Sequence, residues 1–301
     1  MTSYIIRRLL LMVVTLVGMS IIIFILLRLV PGNIADILFD SAGFIDPQEK
    51  AYLEKELGLD LPLWEQYWVW ISGLVQGDLG YSYVSELPTV DELALFFSVL
   101  FGLPLGVISA VKQNRWPDYV VRLVSLSGLS LPSFWLGLLI LMAFVAWAGY
   151  IPIYTNPPET WYEELWLLTI PAAAVGFRAS AIIMRLTRSS MLEVMRQDYV
   201  RTARSKGASE NVINYKHALR NAILPVTTII GIEAAFLIGG LIVTETVFNI
   251  PGVARFLVEA IQWRDYPIVQ NLVMLIALVV VVMNLLVDLL YAVLDPRIRY
   301  S

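Results

Sequence analysis

The chain has 301 residues, 58% of them hydrophobic and 15% charged, with a net charge of −4. Soluble domains carry about 45–50% apolar and about 25% charged residues, so this chain lacks the polar groups to cover a water-facing surface, and its solvent is a bilayer. It has no cysteine and one histidine, His217, which excludes disulfides, thiolate metal sites and histidine metal clusters.

Crossing the hydrocarbon takes about 20 mostly apolar residues in a helix. Six stretches qualify, approximately 9–30, 93–111, 123–148, 165–186, 222–244 and 268–294. The first follows Arg7 and Arg8, as a secretory signal would. A signal's apolar region spans only about 7–15 residues before a small-residue cleavage site. This run is longer and ends in Val30-Pro31-Gly32, so it reads as a retained helix.

Residues 31–92 hold twelve Asp and Glu against Lys50 and Lys55. Within them, Pro47 to Leu57 reads as a helix stopped by Gly58. Pro62 to Val75 reads as a second, carrying Trp64, Trp68 and Trp70. Trp64 and Trp68 lie one turn apart on one face. That face suits a membrane interface, and it equally suits docking of an external partner.

The link after the second stretch carries Lys112, Arg115 and Arg122, whereas 149–164 has no Lys or Arg. Residues 185–221 carry eight basic residues, 245–267 two, and the tail ends with Arg297 and Arg299. Basic segments thus alternate with acidic or neutral ones. The excess of Lys and Arg marks the cytoplasmic side, which places both termini inside.

The basic segment 189–221 is long for a connection within a bundle. Ser189 to Lys206 reads as a helix with Leu192, Met195, Tyr199 and Ala203 on one stripe. Gly207 interrupts it. Ser209 is a candidate cap for a second helix with Val212, Tyr215, Leu219 and Ala222 at helical spacing. Such a glycine-hinged, basic pair fits either a layer of anionic headgroups or the groove of a partner protein.

Charges within spans are costly and are functional candidates. Arg178 lies midway along the fourth stretch and Glu233 midway along the fifth. Adjacent spans, similar depth and opposite sign suggest a pair. Such a pair either ties two helices together or faces a pathway and meets a charged or polar substrate. Asp288 reads as structural, and Arg28 as a side chain snorkelling to headgroups.

The segment Asp198-Tyr-Val-Arg-Thr-Ala-Arg-Ser-Lys-Gly207, followed by Lys216-His-Ala-Leu-Arg-Asn-Ala-Ile-Leu-Pro225, resembles the cytoplasmic coupling loop of ABC importer permeases. The branch it resembles is the dipeptide, oligopeptide and nickel family, on the side of the first permease of the pair. Arg201-Thr-Ala203 stands where the general signature has Glu-Ala-Ala, and the stretch to Pro225 is longer than in sugar permeases. Both departures are those of the peptide branch. The resemblance continues in Leu29-Val-Pro-Gly32, Leu57 to Asp60, Gly77-Asp-Leu-Gly80, Leu131 to Gly137 and Leu186 to Met191. It goes on through Glu245 to Phe248, Arg264-Asp-Tyr-Pro267, Asn284 to Asp288 and Asp295-Pro-Arg297. Two features depart from it. Between Ser82 and Gly102 the family has about a dozen more residues, which makes the start of the second span short. Near Arg178, members usually carry small or apolar residues.

The resemblance implies an all-α integral membrane protein of type I ABC importer permease architecture with six transmembrane helices. Its parts are an N-terminal helix (1–30), an external loop with short helices (31–92) and a five-helix core (93–301) that includes the coupling loop 189–221. Asp198, Tyr199, Arg201, Thr202, Ala203, Lys206, Gly207 and His217 are then the residues seated against an ATPase. The expected partners are a second homologous permease, two ABC ATPases, an external substrate-binding protein and the lipid of a prokaryotic plasma membrane, with no nucleic acid. The chain has no Gly-Lys pair and therefore no P-loop, so ATP and Mg are expected on the ATPase subunits, with no cofactor, metal or catalytic residue here. The implied function is binding-protein-dependent uptake of di- or oligopeptides by alternating access, driven when ATP draws the ATPases together and pulls on the loop. Nickel and oligosaccharides are alternative cargoes within the family. A secondary transporter would need no ATPase and often shows repeated halves, and no such repeat is evident. An intramembrane enzyme would need a nucleophile and base or a metal set that the composition does not supply.

Overall fold

In hydrocarbon, backbone N–H and C=O groups find no water, so a chain this apolar closes its hydrogen bonds within helices. The computed structural model describes residues 2–29, 54–55, 58–76, 90–149, 152–153, 160–239 and 241–294, and among them every regular element is helical. In chain order these are α1 (Thr2–Leu29), α2 (Leu63–Val75), α3 (Val90–Val111), α4 (Trp116–Ser130), α5 (Ser133–Ala148), α6 (Trp161–Val194) and α7 (Asp198–Ser205). A π-helical stretch, Val212–Ala218, then runs into α8 (Leu219–Gly239), followed by α9 (Ile242–Val247), α10 (Val253–Gln262) and α11 (Tyr266–Leu294). Five spans are long and apolar enough to cross a membrane alone: α1, α3, α6, the π stretch with α8, and α11. A sixth is reached if α4 and α5 count as one bent span.

The chain forms two compact units, one from residues 1–87 and 252–281 and the other from 88–251 and 282–301. In the first, α2 is held by its polar side chains. Arg28 Nε and Nη2 donate to Gln66 Oε1 at 3.1 and 2.7 Å, and the Gln66 amide nitrogen donates to the Leu59 and Leu61 carbonyls. The Arg28 guanidinium, expected at headgroups, is thus taken up by Gln66 and lies 3.5 Å from the centre of the Phe24 ring. The Ser20 and Tyr67 hydroxyls share a 2.8 Å hydrogen bond, and the Trp70 indole donates to Asn271 Oδ1 at 2.7 Å. Trp64 and Trp68 remain about two-thirds exposed (70% and 68%). The expected helix Pro47 to Leu57 lies mostly outside the described residues, but its stop is visible. Gly58 takes a φ of +66°, and the Leu59 and Gly58 amides donate back to the Glu54 and Lys55 carbonyls, the paired bonds of a Schellman end.

The second unit is built on α3 and α6, which approach closely because α3 presents glycine. A Cβ at Gly102 would lie 2.8 Å from Ile183 Cβ, and one at Gly106 would lie 2.6 Å from Thr187 Cβ. Small residues at a four-residue interval bring helix backbones together where lipid supplies no hydrophobic drive. Around this contact lies a core of Ala94, Leu141, Leu168, Leu237, Phe248 and Ile250. A second cluster, Val107, Met191, Ala218 and Ala222, packs at the other end.

Several boundaries differ from expectation. The third stretch, 123–148, is two helices bent by 105°. Pro132 cannot donate a backbone hydrogen bond and disfavours helical backbone in the residue before it, and Leu131 is extended (φ −96°, ψ 128°). The fifth stretch ends at Gly239 rather than 244, and α9 and α10 occupy what reads as a loop. The single helix Ser189 to Lys206 is interrupted by a turn at Met195–Gln197, so its stripe does not hold and Tyr199 is exposed. In the next helix the wide π turn rotates the faces. Ile213, Asn214 and Ala218 are buried, whereas Val212 and Tyr215 of the expected stripe are exposed.

Candidate functional site

The basic connection folds into a tight hairpin. α7 ends where Gly207 adopts a φ of +82°, a conformation that costs an L side chain roughly 1–2 kcal/mol. The Ala208 and Gly207 amides donate to the Ala203 and Arg204 carbonyls, closing the helix. Across the bend, Arg204 Nε and Nη2 donate to the two Glu210 oxygens at 2.8 and 3.1 Å, and the Arg204 hydrogen bonds hold the Glu210 carboxyl below its ordinary value. At the other end, the Tyr199 hydroxyl donates to the His217 carbonyl at 3.3 Å and accepts from Asn221 Nδ2 at 2.6 Å. Val200 is fully buried beneath the hairpin.

The outer face carries most of the residues singled out by sequence. Asp198, Arg201, Thr202 and Lys206 are exposed and Ala203 is half-buried. The Asp198 carboxylate lies 3.6 Å from Arg201 Nη1, and Thr202 Oγ1 donates to the Asp198 carbonyl at 2.9 Å. Val212 and Tyr215 on the π stretch are exposed as well.

Arg178 on α6 and Glu233 on α8 face each other at 3.7 Å, Nη1 to Oε2. Their side chains are 41% and 10% exposed. The separation is an ion pair without a hydrogen bond, and the buried Glu233 Oε2 accepts none among the described residues. The Arg178 guanidinium lies 5.4 Å from the centre of the Phe236 ring.

Ten residues further along α6 is a second ion pair that sequence reasoning missed. Asp118 on α4 is fully buried. Arg188 Nε and Nη2 donate to its two oxygens at 2.8 and 3.0 Å. Ser109 Oγ donates at 2.6 Å and the Asn114 amide at 2.8 Å, with Arg122 Nε 3.5 Å away. Asn114, at φ +60°, turns the chain between α3 and α4 so that its own amide reaches the carboxylate. The signal was available: Asp118 is an acid within a short basic link, and Arg188 lies in the recognisable block Leu186 to Met191. Among the described residues, no group of three His, Asp or Glu is arranged to hold a metal ion.

Comparison with known proteins agrees along the whole chain. Residues 102–300 match the family described as binding-protein-dependent transport system inner membrane component, and residues 1–91 match its N-terminal region. The dipeptide transport system permease protein DppB of Alkalihalophilus pseudofirmus is 40% identical over 336 aligned positions. The glutathione transport system permease protein GsiC is 40% identical over 314 positions in one Escherichia coli strain and 39% over 314 positions in Shigella dysenteriae. Each alignment covers 100% of both chains. Residues 92–101, between the two matched regions, fall where this chain reads as shorter than its relatives. Five candidate spans with a bent pair as a sixth, a basic hairpin and full-length identity of this order lead to one conclusion: this chain belongs to the binding-protein-dependent transport system inner membrane components, the non-catalytic permease subunits of ABC importers.

Proposed function

We propose that this subunit forms half of a transmembrane pathway for short peptides, paired with a second homologous permease and driven by two ATPases, one of which receives the hairpin 198–218. The observation that carries the coupling role is the hairpin's construction. It is clasped at both ends, by Arg204–Glu210 and by Tyr199 with His217 and Asn221, while its outer face stays free. A rigid element with an exposed basic and aromatic face is suited to transmit force from a partner groove. ATP and Mg belong to those partners, and an external binding protein delivers the cargo.

Peptide cargo is the reading favoured by the relatives, whose names specify dipeptide and glutathione, both peptide-like. Uptake by the reconstituted complex with its binding protein, comparing dipeptides, glutathione, oligosaccharide and nickel, tests it. Saturable, ATP-dependent uptake of a peptide and of neither other class is expected, and uptake of sugar or nickel alone would overturn it. The alternation of basic and acidic connections supports cytoplasmic termini and a cytoplasmic hairpin. The chain's lack of cysteine makes this simple to test. A cysteine at Ser209 should label only from the cytoplasmic side and one at Trp64 only from outside.

A further inference from the structure

Two grooves run along one wall of the second unit. One, of about 480 Å³, is lined by Arg178, Glu233, Phe236 and the α4–α5 break at Pro132–Ser133. The other, of about 760 Å³, is lined by Arg122, Arg185, Arg188 and Ile229. Leu129 belongs to both, so they share a wall along α4, α6 and α8.

The first groove holds both signs of charge. Its anionic element is Glu233, whose Oε2 is buried and accepts no hydrogen bond among the described residues. Its cationic elements are Arg178, well exposed along the groove, and the first turn of α5. Because Pro132 breaks the chain, α5 starts afresh at Ser133, without a side-chain cap. The amides of a helix's first turn have no intrahelical acceptor and carry the positive end of its dipole. An ion pair that serves only to join helices gains from hydrogen bonding, as Asp118–Arg188 does. At 3.7 Å and without a hydrogen bond, Arg178–Glu233 is set looser, leaving donors and an acceptor for something else.

We propose that this groove is a substrate station within the pathway. Arg178, with the α5 N-terminus, takes the free carboxylate of a short peptide, and Glu233 takes its free ammonium. Entry of the peptide exchanges one loose internal ion pair for two pairs to the cargo, so no charge is left unneutralised in the membrane at any stage. The volume is within the range of small-ligand sites, about 300–1,000 Å³. Arg185 lies two helical turns beyond Arg178 and lines the second groove, offering a further cation along the same wall. The assignment rests on the peptide reading above.

The test uses the whole reconstituted complex and binding protein saturated with each of three cargoes: dialanine, N-acetyl-dialanine and dialanine amide. Glu233→Gln is expected to narrow the preference for dialanine over its N-acetyl form by about tenfold while leaving the amide ratio unchanged. Arg178→Gln is expected to do the mirror image, a loss of the size of one hydrogen bond to a charged group. Binding-protein-stimulated ATP hydrolysis is followed alongside to report an assembled complex. If a single variant fails to assemble, the exchanged pair Arg178→Glu with Glu233→Arg retains both charges. It should assemble and lose both preferences, and wild-type preferences in it would overturn the assignment. Equal slowing of all three cargoes by both single variants overturns it as well. Absence of uptake of any of the three by the wild-type complex overturns the peptide reading and this station with it.

Discussion

Two arginines on one helix, ten residues apart, meet two carboxylates in different ways. Arg188 grips Asp118 with two hydrogen bonds, at 2.8 and 3.0 Å, and the serine and amide that crowd the same carboxylate complete its shell. Arg178 stands 3.7 Å from Glu233 with no hydrogen bond to it. A carboxylate whose lone pairs are all met by protein donors is a fastening, because removing any partner leaves a buried charge unpaired. A half-satisfied one is a position from which exchange is cheap. The difference shows that a count of buried ion pairs says little until the lone pairs are followed one by one.

The largest expected effect breaks the fastening. Asp118→Ala leaves Arg188 without its acceptor and should destabilise the subunit by about 3–5 kcal/mol, read as a lowered thermal midpoint of the purified complex. An unchanged midpoint would erase the distinction between the two pairs. Next, Gly207→Val strains a bend at φ +82° by roughly 1–2 kcal/mol without touching either pair. It should abolish transport while ATP hydrolysis continues and the midpoint falls by less than in Asp118→Ala, and full transport would remove the hairpin from the coupling role. A double-mutant cycle of Arg178→Gln and Glu233→Gln should give a smaller coupling in thermal stability than the corresponding cycle at Asp118 and Arg188, because no hydrogen bond joins the two side chains. An equal or larger value would move this pair into the class of Asp118–Arg188.

The smallest effect is electrostatic and lies on the hairpin. The Glu210 carboxyl is held below its ordinary value of 4.5, chiefly by the Arg204 hydrogen bonds. A depressed carboxyl contributes stability that is present above its unfolded value and is lost as pH falls through the folded one. Amide hydrogen exchange around Gly207 should therefore quicken as pH drops below 4.5, after correction for intrinsic rates, and Glu210→Gln should remove that dependence. An equal dependence in the variant would show that the clasp does not govern the bend.

Much of this was legible in the chain because hydrocarbon leaves few options. Apolar runs located the middles of the long helices though not their ends, Gly58 and Gly207 marked turns that only a left-handed backbone makes, and Arg178 was paired with Glu233 by depth and sign. What escaped depended on contacts between distant segments. Nothing local in Gly102 and Gly106 tells that α6 lies against them. Pro132 was visible, but whether it kinks a span or splits it into two helices bent by 105° depends on what packs at the break. The π turn at Val212–Ala218 has no signature in spacing, and it moved Tyr215 from an expected inner stripe to the surface. Asp118 was passed over because a lone acid in a basic link looks like a solvated charge until Ser109, Asn114 and Arg188 are seen around it.

The length of α6 has a mechanical consequence. Its 34 residues make a rod about 51 Å long, with about 15 Å between Arg178 and Arg188 and no proline between them. If Arg188 is the fulcrum, a tilt of about ten degrees sweeps Arg178 through roughly 2.6 Å at that lever arm. That sweep is enough to part a contact already at 3.7 Å, while the grip at the fulcrum has only to rotate. Such a parting leaves both charges neutralised only when cargo bridges them, so the tilt of the rod and the arrival of cargo are linked.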